Sequence, residues 1–228
     1  MEKVEKNKKR IFLCLCMGMA VILAAGVLGK GLIGRKEEIP AFGVTVTAAQ
    51  YAGQGVVYRQ QGDRLYIVTA GHVLDGLAEG EGCRIAFGGG KEQDAKVLYR
   101  SETADVAFLE VQIDGGAKET EPVPVSREHF DLLTDGDRLW AVSVSNGSVE
   151  RVEGELLYFW VYLEDFALDM MLAKMDCRAG MSGCAIVEEN GYFVGILCGV
   201  SETKEAAVLP YSIIESEWLQ MVERGILK

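Results

Sequence analysis

The chain has 228 residues, 49% of them hydrophobic, and a formal net charge of -11 at pH 7. Residues 1–36 hold eight Lys or Arg and two Glu, so residues 37–228 alone carry a charge of -17. This acidic balance argues against nucleic acid or an anionic membrane surface as the partner of residues 37–228. Their length is sufficient for one domain, or two packed subdomains, with a full hydrophobic core.

The N-terminus predicts a membrane anchor. A basic segment, residues 1–10, precedes an apolar run without charged residues, 11–29. At about 1.5 Å per residue, a helix over this run nearly spans the hydrocarbon core of roughly 30 Å. The positive-inside rule keeps residues 1–10 in the cytoplasm and exports the rest, with 30–41 as a linker. The alternative is a signal peptide cleaved near residues 24–26, which gives a secreted protein.

Short apolar or alternating runs follow from residue 42, and their spacing predicts an all-β domain over residues 42–228. A segment rich in charge, Gly and Pro, residues 113–131, predicts a linker that separates a first barrel, about 42–112, from a second half, 132–228. The runs predicted as strands of the first half are GVTVTA, GVVYRQ, RLYIVTA, RIAFGG, AKVLYR and DVAFLEV.

The second half repeats this pattern, so two packed six-stranded barrels are expected. Asn190-Gly191 predicts a two-residue hairpin turn between the last two runs. A C-terminal helix packed on a barrel is expected after Ser212 as N-cap. Its predicted apolar face comprises Ile213, Ile214, Trp218, Leu219 and Val222. The predicted strands are DRLWAVSVS, VEGELLYFWVYL, MMLAKM, CAIVEE and YFVGILCGV.

Four cysteines lie beyond the apolar run, at positions 83, 177, 184 and 198. The two-residue turn would place Cys184 opposite Leu197 and point Cys198 to the other face, which argues against a disulfide between them. A Cys177–Cys198 disulfide or free thiols remain open. None of the cysteines has metal-ligand spacing and the chain has only two histidines, so neither a metal nor a cofactor is expected.

Three short stretches supply the residue types of nucleophilic catalysis. His72 follows an apolar strand, Asp105 precedes another, and Ser182 lies between Gly180 and Gly183. A serine hydroxyl needs an imidazole to take its proton, and the imidazole needs a carboxylate to fix its tautomer. The N–H groups of Gly180 and Ser182 can point at one spot and stabilise the oxyanion of a tetrahedral intermediate.

The stretches TAGHV, TADVAFLEV and GMSGCAIV resemble, in this order, the active-site blocks of trypsin-like (chymotrypsin-fold) serine peptidases, and of bacterial HtrA-like members in particular. The resemblance covers about residues 50–215 and implies the chymotrypsin-like fold. VGILCGV resembles the strand that lines the substrate cleft, which implies substrate contacts at Cys198 and Gly199. Met181 and Cys184 depart from the usual residues beside the nucleophile. No PDZ domain is expected within the 228 residues.

We therefore expect a membrane-anchored, exported serine endopeptidase that acts on peptides or proteins. The alternative is a catalytically inactive module that binds a peptide or protein partner in the same cleft. In the resembled family, the residue six before the nucleophile lies at the base of the specificity pocket, which here is Asp176. A partly desolvated carboxylate there would favour Arg or Lys before the cut. A shift of one residue would bring Met175 or Cys177 there instead, and Asp176 is equally compatible with a surface turn.

Overall fold

A computed structural model describes residues 42–49, 51–88, 90, 92–113, 120–145 and 147–227. The predicted basic segment 1–10, anchor 11–29 and linker 30–41 lie outside these residues. Among the helices that the structure describes, none is long and apolar enough to cross a membrane.

The first half forms a closed, antiparallel barrel in which all six predicted runs are strands. The order around the barrel is β1-β2-β3-β6-β5-β4. Val, Ile and Leu side chains fill its interior. Burial alternates along β1, β4 and β5, as the two-residue period predicts, whereas β2 and β3 are buried at consecutive positions. The strands are β1 (Gly43–Ala48), β2 (Tyr51–Gln61), β3 (Arg64–Thr69), β4 (Gly82–Phe87), β5 (Glu92–Arg100) and β6 (Ala107–Gln112).

The second half forms a second closed barrel in the order β10-β11-β12-β9-β8-β7, which confirms the predicted pair of barrels. Its sixth strand, EAAVLP, was not among the predicted runs. The two alanines give a weak strand signal, but pairing with strands on both sides buries this segment. The strands are β7 (Arg138–Ser145), β8 (Ser148–Leu163), β9 (Leu168–Met175), β10 (Ala185–Glu188), β11 (Phe193–Val200) and β12 (Glu205–Pro210).

The predicted linker contains a short helix, α1 (Arg127–Asp131), and contacts both barrels. Val123 N–H donates to Val57 of the first barrel, and Phe193 N–H of the second barrel donates to Pro124, both at 2.8 Å. The segment after residue 119 is therefore packed between the barrels rather than looped away from them.

The C-terminal helix α2 (Tyr211–Glu223) is confirmed, but its predicted N-cap and apolar face are partly wrong. It begins directly after β12, with Pro210 at the N-cap position, so Ser212 lies in its first turn. The buried positions are Ile214, Glu217 and Met221, whereas Leu219 and Val222 are exposed. Glu217 tolerates burial because the Tyr99 hydroxyl of the first barrel donates to it at 2.7 Å.

Trp218 of α2, the helix that follows the second barrel, packs against the first barrel. Its ring lies 5.2 Å from Tyr66, 5.4 Å from Phe108 and 5.8 Å from Tyr58, centroid to centroid, in edge-to-face contacts. The helix therefore fixes the two barrels relative to each other, and with them the cleft between them.

The hairpin at residues 188–193 differs from the predicted two-residue turn. Glu188 N–H donates to Tyr192 at 3.0 Å and Gly191 N–H to Glu188 at 2.9 Å, so the loop has three residues, closed by Gly191 at φ 85°. A bulge between Ile186 and Val187 then restores the register. Leu197 N–H donates to Cys184 at 3.1 Å, and the predicted pairing of these two residues is confirmed.

No disulfide joins the four cysteines that the structure describes, so the Cys177–Cys198 pair is not formed. All four side chains are buried. Burial raises the pKa of Cys83 to about 11 and, together with the charges of Glu150 and Asp176, that of Cys177 to about 12. At neutral pH these thiols are therefore protonated and poorly reactive.

We expect Cys83, Cys177 and Cys184 to resist alkylation by iodoacetamide in the native protein at neutral pH. In concentrated guanidinium chloride the same residues should react readily, because unfolding restores both access and ordinary acidity. Peptide mapping after timed labelling compares the two conditions. Rapid native labelling of any of the three, or a disulfide-linked peptide, would contradict the buried thiols.

Candidate active site

His72 and Asp105 meet because their strands are neighbours. His72 lies on a one-turn 3-10 helix, Gly71–Leu74, just after β3, and Asp105 lies just before β6. The two strands pair up to Thr69 and Ala107, so the segments beyond them lie side by side.

The Asp105 carboxylate binds His72 at two points. His72 Nδ1 lies 2.8 Å from Oδ2, and the His72 backbone N–H donates to Oδ1 at 2.9 Å. A Cβ on Gly71 would lie 3.1 Å from Oδ1, so a glycine permits this close approach. The carboxylate thus fixes the imidazole with Nδ1 as the donor, which leaves Nε2 as a base.

Opposing effects set the acidity of the pair. Burial alone would lower the pKa of His72, but the hydrogen bond and charge of Asp105 outweigh it and raise the pKa above its ordinary 6.5. Burial alone would raise the pKa of Asp105, but hydrogen bonds from His72 hold it below the ordinary 3.8. Asp105 therefore stays ionised at neutral pH and favours the imidazolium form of His72.

The two cleft residues predicted on β11, Cys198 and Gly199, differ in burial and in their contacts. Cys198 is buried, and its thiol donates to the Asp105 carbonyl oxygen at a sulphur–oxygen distance of 3.6 Å. A hydrogen bond from Cys198 also helps to hold the pKa of Asp105 down. Gly199 is half-buried, and a Cβ there would lie 3.5 Å from the Phe166 ring. Cys198 therefore supports Asp105 from the second barrel, while Gly199 lies nearer the surface.

The loop between β9 and β10 makes a tight turn just before Ser182. Met181 N–H donates to the Arg178 carbonyl at 3.2 Å, and Gly180 is the third residue of this turn, at φ 87°. A left-handed third residue is what a type II turn requires, and glycine adopts it without steric cost.

A second turn follows at once and contains Ser182. Cys184 N–H donates to the Met181 carbonyl at 2.9 Å, and Gly183 is again the left-handed third residue, at φ 85°. The buried Met181 and Cys184 side chains pack in the second barrel, which accounts for apolar residues on either side of the serine. The two turns leave Ser182 half-buried between two glycines.

The backbone N–H groups of Gly180 and Ser182 are the predicted oxyanion donors. Among the residues that the structure describes, neither Gly180 N–H nor Ser182 N–H donates a hydrogen bond. Gly180 is exposed, so its N–H can be reached from the solvent. Within the described residues, neither predicted oxyanion donor is therefore occupied by a protein acceptor.

The loop between β9 and β10, which contains Ser182 and is called the serine loop below, lies near His72. The Ser182 and His72 side chains are not joined by a hydrogen bond within the described residues. A Cβ on Gly53 of β2 would lie 2.7 Å from Val73 Cγ2 on one side and 2.9 Å from the Ser182 carbonyl oxygen on the other. Within the described part of the chain, no hydrogen bond links the Ser182 hydroxyl to the His72 ring. Such contacts are often long in unliganded enzymes and shorten when substrate binds.

A cavity of about 410 Å³ lies between the barrels beside the serine loop. Strands β1 and β2 line it from the first barrel, and Ser143, Val144 and Met181 from the second, with Gly180 at one wall. No group of three His, Cys, Asp or Glu among the described residues is arranged to hold a metal ion.

Asp176 differs from the expected partly desolvated carboxylate. Its side chain is 68% exposed and pairs with Lys204 at 2.6 Å. The loop before β12 brings this lysine to it, which the spacing from Ser182 could not reveal. Its neighbours Met175 and Cys177 are buried in the core of the second barrel. The surface-turn interpretation of Asp176 describes its position in this structure.

The match to known proteins covers both halves of this site. Residues 53–196 match the model of a protein family that is described as "Trypsin-like peptidase domain". A "Serine protease HtrA-like" of Staphylococcus aureus (strain bovine RF122 / ET3-1) is 25% identical over 187 residues, and the match covers 75% of this chain and 23% of the relative. Its counterpart in strain USA300 is 24% identical over 188 residues, with the same shares.

The chain thus spans 23% of the length of these curated relatives. The match to the family model extends from Gly53 of β2 to Ile196 of β11 and includes His72, Asp105 and Ser182. It covers more than half of the chain and parts of both barrels, and β1 and β12 lie outside it. The chain belongs to the family of trypsin-like peptidase domains.

Proposed function

We propose that this chain is a serine endopeptidase in which Ser182 is the nucleophile, His72 the general base and Asp105 the carboxylate that orients it. The observation that carries the proposal is the two-point contact of His72 with Asp105 beside a serine loop with two available N–H groups. Membership of a peptidase family supports the same chemistry.

The proposed reaction begins when Ser182 Oγ attacks the carbonyl carbon of the peptide and its proton passes to His72 Nε2. The carbonyl oxygen becomes an oxyanion that accepts hydrogen bonds from Gly180 N–H and Ser182 N–H. The C–N bond then breaks, and His72 gives its proton to the leaving amine. Water, deprotonated by His72, hydrolyses the acyl-enzyme by the same steps.

Asp105 has two roles in this proposed reaction. Its Oδ2 accepts the Nδ1 hydrogen, so that Nε2 faces the serine as a base, and its negative charge stabilises the imidazolium that forms. Its low pKa keeps that charge in place throughout the working pH range.

The substrate backbone is proposed to pair with the end of β11. Strand β10 pairs with β11 only as far as Ile196, and Gly183 N–H then bonds to Leu197 at 2.7 Å. Beyond this point, at Gly199 and Val200, no strand of the described chain lies on that side of β11. An extended peptide can add there as a further strand, with its scissile bond toward Ser182.

Residues 11–29 are proposed to anchor the protein in the membrane, with the peptidase domain on the extracytoplasmic side. The charge-free run and the basic residues before it support this orientation. Membrane fractionation of the full chain tests the anchor. Recovery of a shortened chain in the soluble fraction would instead indicate a cleaved signal peptide and a secreted protein.

We expect kcat/KM to rise with pH through an apparent pKa above 6.5, because only neutral His72 can accept the serine proton and Asp105 favours the charged form. Hydrolysis of fluorescein-labelled casein by the full chain, measured from about pH 5 to 9, tests this expectation. A Ser182→Ala variant serves as the blank.

A rate that is flat across this range would contradict a histidine base. A folded wild-type protein that binds casein but releases no more peptide than Ser182→Ala would show a binding module instead of an enzyme.

A further inference from the structure

Gln54 connects the first barrel to the serine loop of the second. It lies on β2, is 6% exposed, and all four of its polar groups are engaged. Its backbone N–H donates to the Ser182 carbonyl at 2.7 Å, and its carbonyl accepts from Thr69 Oγ1 at 2.6 Å. Its side-chain Nε2 donates to the Gly180 carbonyl at 3.4 Å, and its Oε1 accepts from Val144 N–H at 2.9 Å.

The two loop carbonyls that Gln54 holds lie on either side of one catalytic donor. The Gly180 carbonyl belongs to the peptide plane just before the Met181–Ser182 plane, and the Ser182 carbonyl belongs to the plane just after it. The Met181–Ser182 plane carries the Ser182 N–H. Fixing the planes before and after it restricts rotation of the plane between them.

This restriction matters because Gly180 itself offers little resistance to rotation. Without a Cβ, its backbone moves between left- and right-handed conformations at little cost, and a Cβ there would touch nothing within 4 Å. Such a rotation would turn the Gly180 N–H away from the developing oxyanion. The hydrogen bond from Gln54 Nε2 to the Gly180 carbonyl opposes this rotation.

The chemistry of the amide fits both of its partners. Val144 N–H needs an acceptor and the Gly180 carbonyl needs a donor, and a glutamine side chain supplies both from a single planar group. A glutamate would set a second acceptor against the Gly180 carbonyl, and an aliphatic side chain would leave Val144 N–H buried without a partner.

We propose that Gln54 is a positioning residue, which holds the Gly180 and Ser182 N–H groups in the geometry that stabilises the oxyanion. The inference rests on the proposed serine peptidase function. Gln54 touches neither the substrate nor the reacting atoms in this scheme; it acts through the loop.

The test compares Gln54→Met and Gln54→Glu with Gln60→Met in the full chain. Gln60 is on the same strand and is exposed, and its side-chain Nε2 donates to the nearby Gly62 carbonyl, so its variant controls for the substitution itself. With its carboxyl ionised, Gln54→Glu retains the acceptor for Val144 N–H and loses the donor to the Gly180 carbonyl. Each variant keeps the backbone bonds of residue 54.

For both Gln54 variants we expect kcat on labelled casein to fall roughly 10- to 100-fold with KM nearly unchanged, since one misdirected oxyanion donor costs up to about 10³ in kcat. Affinity for phenylboronic acid, which forms a tetrahedral adduct with an active-site serine, should fall in parallel. Backbone hydrogen exchange in residues 178–184 should accelerate in these variants and not in Gln60→Met.

A structural role alone would lower the melting temperature while leaving kcat and loop exchange at wild-type values well below it, and this result would overturn the proposal. If the wild type hydrolysed nothing, the peptidase function would fail, and the exchange measurement would still decide the role of Gln54. Faster exchange confined to residues 178–184 would support it, and unchanged exchange would refute it.

Discussion

Replacement of His72 by alanine is expected to lower kcat by roughly 10⁶-fold, because the serine loses its base and the leaving amine its acid. Asp105→Asn should cost less, roughly 10⁴-fold, since an amide in place of the carboxylate can present its N–H to Nδ1 and stabilise the wrong tautomer. Steady-state hydrolysis of labelled casein measures both.

The other described histidine provides a matched control. His129 stacks on Tyr192 with 4.2 Å between ring centroids and contacts neither Ser182 nor Asp105. His129→Ala should therefore retain wild-type kcat. Equal losses in His129→Ala and His72→Ala would show that the assay reports stability rather than catalysis, and full activity in His72→Ala would exclude His72 as the base.

Gly183→Ala is expected to lower the free energy of unfolding by about 3 to 5 kcal/mol, which combines left-handed strain with overpacking. A Cβ at this position would overlap the Gln54 carbonyl oxygen and lie 2.7 Å from Thr69 Oγ1. These are backbone and buried groups of the first barrel that cannot move aside cheaply. Urea denaturation of the Ser182→Ala background avoids self-cleavage during the measurement.

Gly180→Ala is the matched control in the same loop. Its φ of 87° imposes the same backbone strain, but its Cβ would meet nothing within 4 Å. We expect a loss of only about 1 to 2 kcal/mol. Equal losses for the two variants would mean that contact with the first barrel does not constrain the serine loop.

The sequence predicted the barrels well because most of their strands are short apolar or alternating runs with turn residues between them. Where the sequence-based prediction was wrong or incomplete, contacts with distant parts of the chain determined the local structure. Glu217 interrupts the apolar face of α2, yet it is buried against a tyrosine of the first barrel. EAAVLP has a weak strand signal, yet strands on both sides bury it.

The candidate site also contains both residues that the sequence indicates and residues that only the folded structure reveals. His72, Asp105 and Ser182 stand out because each lies beside a strand in a short, distinctive stretch. Gln54 carries no such signal, since its side-chain partners Val144 and Gly180 are 90 and 126 positions away. The pairing of Lys204 with Asp176 across 28 positions was hidden for the same reason. Only the folded chain brings these groups together.

Covalent labelling of the full chain by a fluorophosphonate tests the activated serine most directly. A fluorophosphonate reacts with a serine only when a neighbouring base activates the hydroxyl and an oxyanion site stabilises the adduct. We predict one adduct per chain, mapped by mass spectrometry to Ser182, absent in Ser182→Ala and strongly reduced in His72→Ala. A folded wild-type protein that remains unlabelled, or an adduct that persists in Ser182→Ala, would contradict the assignment of Ser182 as the nucleophile.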